Sequence, residues 1–377
     1  MCTRIFNNQN NDYLTTARNM DWATQLPTSL YTFTNGLDKS GESNLNPNTL
    51  TWTSLYDSVV TIVAGEEKVV GAEKVVGAEN EAGHFGASDG MNSVGLVANV
   101  LYDSNAQYER QETQGQPYKR LDVLRWVQYV LDTCCSVKKV VEKFNESSDI
   151  ELVGSKVPAS DKQASLHLSV SDIIGDSAII EVVDGKFQVH LSPSFQVMTN
   201  EPSYSEQLRI NQYWRWQWSE NNPFPSHTIP GGPFPTDRFE RAYFNMHHLK
   251  MPTTMAESLA QSKSVIMNAS VPIGFDFGTD SHPNIAPTLW STLSSHNELK
   301  YYFCNARTTG ACWVDLANLN HNHTVAKIDL VNFANGKFSN HSYDGLINEK
   351  LEATTDPFAR VNQHASNSHF RSEFDLA

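Results

Sequence analysis

Met1-Cys2-Thr3-Arg4-Ile5-Phe6, Asn7-Asn8-Gln9-Asn10-Asn11-Asp12, Tyr13-Leu14-Thr15-Thr16-Ala17-Arg18 and Asn19-Met20-Asp21-Trp22 run in succession at the start of the chain, and the fold is read from them. The middle group is made of turn formers, so Cys2–Phe6 and Tyr13–Arg18 are predicted as two strands of a hairpin. A turn centred near residues 9 and 10 sets Cys2 opposite Ala17 or Arg18. On that register Arg18 reaches the start of the chain, and Asp21 lies just past the strand end.

Those positions carry a specific chemistry. Methionine is trimmed when the following side chain is small, and Cys2 is small. Trimming leaves one residue with both a thiol and a free α-amino group. Such an amine, of ordinary pKa about 7.7–8.0, is partly neutral near pH 7. It can then act as the base for its own side chain, as with N-terminal threonine nucleophiles. A guanidinium nearby favours a thiolate, which is the part read for Arg18, while Asp21 orients the amine. On the residues alone, a chance cysteine followed by a surface turn fits about as well.

The totals narrow the class of partner. The 377 residues are 40% hydrophobic and 19% charged, enough to bury a large core without disulfides. With 28 basic and 42 acidic side chains the formal charge is −14, which disfavours nucleic acid and anionic membranes as partners. A small, uncharged or apolar ligand suits it better. Cys2, Cys134, Cys135, Cys304 and Cys312 form no CxxC pair, so neither a zinc site nor a disulfide framework is expected. Cys304 and Cys312 flank a hairpin and are read as free thiols, with a bridge between them as the alternative. No apolar run is long enough for a membrane span, and polar residues begin at Asn7, so no secretory signal is read. The expected compartment is the cytoplasm, or the periplasm if Met1 replaced a native signal.

Further along, Glu-Lys-Val-Val-Gly-Ala occurs twice over residues 67–78. Six residues preserve the faces of a strand but rotate those of a helix, so a lengthened hairpin or loop is expected. Asp89–Asn92 reads as a turn before a buried strand, Gly95–Leu101, that ends at Tyr102. Arg120–Leu131 has helical spacing, and Ser136 reads as the N-cap of a second helix. Three strands are expected between Leu166 and His190, turning at Asp184-Gly185. Asn200 falls where a strand runs into a turn, and Arg238 opens a helix after the Pro-rich stretch from Asn221 to Pro235. Met255–Ile266 is expected to be helical, and strands follow at Lys300–Cys304, Cys312–Leu316 and Lys327–Phe333. Trp214, Trp216 and Trp218 alternate as an aromatic face, read as packing, with an acyl pocket or oligomer contact as alternatives. His247-His248 and His321-Asn322-His323 are read as solvated, and no metal or cofactor is expected. Strands at both ends around internal helices suggest stacked antiparallel sheets covered by helices, within one domain over 2–355 and a polar tail from 356 to 377.

Met1–Arg4 and Ala17–Trp22 resemble the choloylglycine hydrolases, which comprise penicillin V acylases and conjugated bile salt hydrolases. The resemblance continues in order at Asp89–Asn92 with Gly95-Leu96, at His167-Leu168-Ser169 with Glu181, at Val197–Pro202 and at Pro235–Phe239. It implies an α+β fold, the αββα N-terminal nucleophile sandwich, and no cofactor. It implies that Cys2 attacks an amide carbonyl while Arg18 and Asp21 steady its thiol and amine. Asn200 and the Tyr102 main-chain N–H are implied as oxyanion donors, and Arg238 as support for transition-state charge. Tyr102 matches penicillin V acylases, where bile salt hydrolases tend to carry Asn. Trp22 resembles the aromatic wall that binds flat acyl groups in the Gram-negative branch. A homotetramer is implied as well. The expected activity is hydrolysis of penicillin V, with N-acyl homoserine lactones and then bile salts as alternative substrates. An inactive small-molecule binding protein on the same scaffold is the other alternative. A class II amidotransferase would typically follow its cysteine with Gly, where this chain has Thr3.

Overall fold

The computed structural model describes residues 2–43, 46–65, 84–110, 117–225, 228–276 and 286–360. The repeat at 67–78 lies outside the described residues. Two large sheets face each other. The first runs Val197–Met198, Cys2–Asn7, Thr15–Asp21, Thr288–Ser295, Lys300–Asn305, Cys312–Asp315, Gly345–Leu346, and only its last neighbours are parallel. The second is antiparallel and runs Lys186–Leu191, Ser177–Val183, Leu166–Ser171, Val97–Tyr102, Phe85–Asn92, Ser58–Ala64, Thr28–Phe33, Val325–Ala334, Lys337–Asn340.

Among the described residues five α-helices complete the layers: α1 (Trp126–Thr133), α2 (Val137–Lys143), α3 (Tyr204–Trp218), α4 (Pro235–His248) and α5 (Met255–Asn268). α1 and α2 cover the second sheet; α4 and α5 cover the first. The strand period explains the layering. Val59, Val63, Val97 and Leu101 face the space between the sheets, while Val60, Ile62, Ala98 and Val100 pack under Trp126 and Val127 of α1. Chain order and layers therefore give the αββα sandwich that the sequence led us to expect.

The hairpin forms, but its register differs. Cys2 pairs with Met20 and Arg4 with Arg18. The first strand extends to Asn7 and the second begins only at Thr15, which moves the turn centre later. Asp21 is consequently the last residue of the strand rather than a residue beyond it. Because side chains alternate, Arg18 and Met20 still share the face of Cys2, while Asn19 points to α5, where its Nδ2 donates to the Ile266 carbonyl at 2.7 Å.

Other segments also shift. Asp89–Asn92 ends the strand Phe85–Asn92, and the chain turns after it, with Gly95 at φ +78°. Lys119–Asp122 is a short strand, so the helix predicted from Arg120 starts later. Ser136 does cap α2, its hydroxyl accepting from Lys139 N. Asp184 and Gly185 turn between their strands with φ of +48° and +71°. The tryptophan run belongs to helix α3, where alternate residues do not share a face. Trp214 lies 5.7 Å from Trp218, and Trp218 packs edge-on against Phe244 of α4 at 4.9 Å. At the C-terminal end of the described residues, Phe358 is fully buried and tilted against Phe33, so 356–360 are docked rather than trailing. All five cysteines are free, and Cys312 pairs with Phe303, out of line with Cys304.

Candidate active site

The open end of the first hairpin brings Cys2, Met20 and Asp21 together at one edge of the sandwich. Cys2 is buried, and its Sγ lies 3.5 Å from Arg18 Nη2. The same Nη2 donates to the Val100 carbonyl at 3.0 Å and contacts Met20 Sδ at 3.1 Å. Arg18 Nε and Nη1 have no hydrogen-bond acceptor among the described residues, and the guanidinium stacks over Trp290 at 4.6 Å. The Arg18 charge is thus poorly supplied with acceptors and lies directly against the Cys2 sulfur.

Arg238 comes from the first turn of α4, which Pro235 at the N-terminal helical position opens without losing a hydrogen bond. It is fully buried. Its Nη1 donates to the Cys2 carbonyl at 2.6 Å and to Thr3 Oγ1; its Nη2 donates to Asn200 Oδ1 at 2.9 Å. Asp21 Oδ2 faces it at 3.8 Å, and Thr288 Oγ1 donates to Asp21 Oδ1 at 2.6 Å. Burial pushes the Asp21 carboxyl up from its ordinary value, and the charge of Arg238 opposes that rise. The same burial lowers the Arg238 pKa, with Asp21 acting against it. Arg238 thus ties the backbone of Cys2, the amide of Asn200 and the carboxylate of Asp21 into one unit.

Asn200 follows the short strand Val197–Met198. Its Oδ1 accepts from the Cys2 nitrogen at 2.6 Å, and its Nδ2 donates to the Tyr102 carbonyl at 2.6 Å. The donors fix the orientation of this amide, since both Cys2 N and Arg238 need an oxygen. Opposite Tyr102, the N–H and C=O of Leu166 are both engaged by the Tyr108 hydroxyl. The Tyr102 N–H and C=O therefore turn away from that strand and toward Asn200. The Tyr102 ring meets Trp22 edge-on at 5.9 Å, and Lys162 Nζ lies 5.6 Å from the Trp22 ring.

Every residue singled out from the sequence, Cys2, Arg18, Asp21, Trp22, Tyr102, Asn200 and Arg238, falls in this one constellation. Several partners escaped that reading. Asp89, treated as part of a turn, is buried between the sheets and accepts from Tyr301 at 2.6 Å, Asn99 at 2.7 Å and Thr292 at 3.0 Å. Burial raises its pKa and the charge of Arg18 opposes this, so Asp89 is electrostatically coupled to the thiol's guanidinium. Thr3 and Thr288 were missed because a threonine in a strand gives no signal of its partner. His247 and His248 satisfy their own helix, bonding the carbonyls of Tyr243 and Phe244.

The residue pattern of linear amide C–N hydrolases of the choloylglycine hydrolase family matches residues 2–329. The chain belongs to that family. It is 37% identical over 347 residues to a penicillin V acylase of Pectobacterium atrosepticum, covering 87% of this chain and 85% of the relative. A bile salt hydrolase/transferase of Clostridium perfringens is 26% identical over 129 residues, covering 33% and 37%. Among solved structures, penicillin V acylase from Agrobacterium tumefaciens superposes with a TM-score of 0.75 at 35% identity, covering 96% of this chain and 99% of that one. A variant of conjugated bile acid hydrolase from Clostridium perfringens gives 0.66 at 18% identity, covering 92% and 98%, and shows the shared fold. The chain is accordingly an α+β sandwich hydrolase of non-peptide C–N bonds in linear amides.

Proposed function

We propose that this hydrolase uses Cys2, freed from Met1, to cleave penicillin V into 6-aminopenicillanic acid and phenoxyacetate. The observation that carries the nucleophile is the convergence on Cys2 of Arg18 at Sγ, Asn200 at the nitrogen and Arg238 at the carbonyl. The Cys2 sulfur attacks the acyl carbon and its α-amine takes the thiol proton. Charge on the former carbonyl oxygen is met by the Tyr102 N–H and Asn200 Nδ2. The amine then gives the proton to the leaving nitrogen as the C–N bond breaks, and water cleaves the thioester. With Met1 attached the Cys2 nitrogen is an amide and cannot serve as this base.

The acyl preference rests on the aromatic surface of Trp22 and Tyr102, whose rings meet edge-on at 5.9 Å, and on similarity to proteins named penicillin V acylase. Amine release from penicillin V, a long-chain N-acyl homoserine lactone and glycocholate, measured side by side on protein whose intact mass lacks Met1, tests it. Turnover of penicillin V well above glycocholate is expected. Homoserine lactone cleavage is the second reading, since it uses the same apolar surface. No turnover of any substrate by Met-free protein would move the proposal to a binding role.

A further inference from the structure

Asp103, His167 and Glu181 form a second constellation, beside the first but separate from it. All are buried, and one ligand atom from each lies within 4.8 Å of the other two. His167 Nδ1 and Asp103 Oδ2 are 3.9 Å apart, too far to bond. Neither ring nitrogen of His167 has a hydrogen-bond partner among the described residues, although the side chain is only 3% exposed. A buried imidazole with both nitrogens idle is costly unless something fills the gap. Three atoms no more than 4.8 Å apart surround a point no more than about 2.8 Å from each, and a small inward movement reaches the 2.0–2.2 Å of transition-metal bonds to nitrogen and oxygen.

We infer that this cluster is a binding site for one divalent first-row transition ion. The donor set of one imidazole and two carboxylates suits Zn2+ or Mn2+ better than the all-oxygen cages of Ca2+, and the two carboxylate charges balance the dication. The surroundings fit an outer shell. Glu181 Oε2 bonds His190 Nε2 at 2.8 Å, and Oε1 accepts from Tyr204 N at 2.8 Å. Asp103 Oδ1 accepts from Asn105 N at 3.0 Å. The site has a mechanical consequence. Asp103 directly follows Tyr102, and Glu181 grips the start of α3, just after Asn200. An ion here fastens together the two segments that carry the oxyanion donors. His167 and Glu181 stand among the positions that carry the family resemblance, but nothing in their spacing ties them to Asp103, which follows the strand Val97–Tyr102.

The test uses full-length Cys2→Ala protein, so that the nucleophile cannot bind metal, dialysed against chelator and titrated with Mn2+ and separately Zn2+ by calorimetry. Thermal unfolding and elemental analysis are run in parallel. One ion per chain and a rise in Tm are expected, with Asp103→Asn, His167→Gln and Glu181→Gln each weakening affinity at least about tenfold. Circular dichroism identifies any variant that fails to fold, and the three substitutions give independent readings. Substoichiometric binding of both metals with no Tm change would overturn the inference and leave a water in the gap. Equal binding by the three variants would overturn it too. Neither outcome bears on the substrate proposed above.

Discussion

Replacing Arg238 by Met should expose how the site holds its charges. Arg238 Nη1 and Asp21 Oδ2 are 3.8 Å apart, and both side chains are fully buried. At an effective dielectric of about 20, that separation corresponds to about 4 kcal/mol of attraction. Removing one member of a buried pair typically costs about 3–5 kcal/mol, because the other charge stays uncompensated. The carbonyl of Cys2 and Oδ1 of Asn200 lose donors as well. We therefore expect Arg238→Met to lose about 3–5 kcal/mol of stability near neutral pH, and the same change in an Asp21→Asn background to cost about 1–3 kcal/mol less. The sign of the pH dependence follows from Asp21. Its folded-state pKa is raised by burial, so its contribution is fully present below the unfolded pKa and is lost as pH rises through the folded one. Without Arg238 the folded value rises further, so the gap between wild type and variant should widen as pH rises above the ordinary carboxylate range. In the Asp21→Asn background it should stay flat. Guanidinium unfolding followed by tryptophan fluorescence at fixed protein concentration measures all four proteins. Equal cost in both backgrounds, or a gap unchanged with pH, would refute the electrostatic reasoning.

Three further outcomes follow from the geometry. Cys2→Ala should abolish turnover of whichever amide the enzyme accepts while changing stability by no more than about 2 kcal/mol, since the thiol makes few contacts; retained turnover would remove the nucleophile. Asn200→Ala should lower kcat about 10²–10³-fold, a loss read in single-turnover kinetics, with KM moving much less. Glu240 accepts from Gln207 and Asn211 at 2.7 Å each, and burial raises its pKa to about 7. Its stabilising contribution is thus complete below about pH 4.5 and is lost as pH rises toward 7; Glu240→Gln should flatten the stability profile across that window, and an unchanged slope would count against the assignment.

Hairpin logic made Cys2, Arg18 and Asp21 readable as neighbours, whereas Trp22, Tyr102, Asn200 and Arg238 entered through the family resemblance. A hairpin with a polar turn had to bring Arg18 back toward Cys2, and a register error did not remove Arg18 from the correct face. What escaped depended on contacts between distant segments. The strand Thr288–Ser295 pairs with Thr15–Asp21 and delivers Thr288 to Asp21, yet its residues are mostly small and polar, with little apolar alternation to mark it. Helix α3 was obscured because its tryptophans mimic a period of two. The aspartate at position 89 looked like a turn former, and only the second sheet shows it buried against Tyr301.

The two arginines divide the work of the site, and their surroundings explain how. Arg238 spends its donors on Cys2, Thr3, Asn200 and the Pro233 carbonyl and faces Asp21 as well, so its charge is already answered and its effect is to fix geometry. Arg18 has one carbonyl and two sulfur contacts, and two of its nitrogens are idle; its charge is left for the thiol. Exchanging them would not be neutral even if both fitted. A lysine at 18 would keep the charge beside Cys2, whereas a lysine at 238 would lose the planar set of donors that holds three backbone segments in register. Arg18→Lys should therefore retain far more activity than Arg238→Lys, with the deficit of the latter appearing in kcat and in Tm together. Comparable losses in the two variants would show that charge, rather than donor geometry, is what Arg238 contributes.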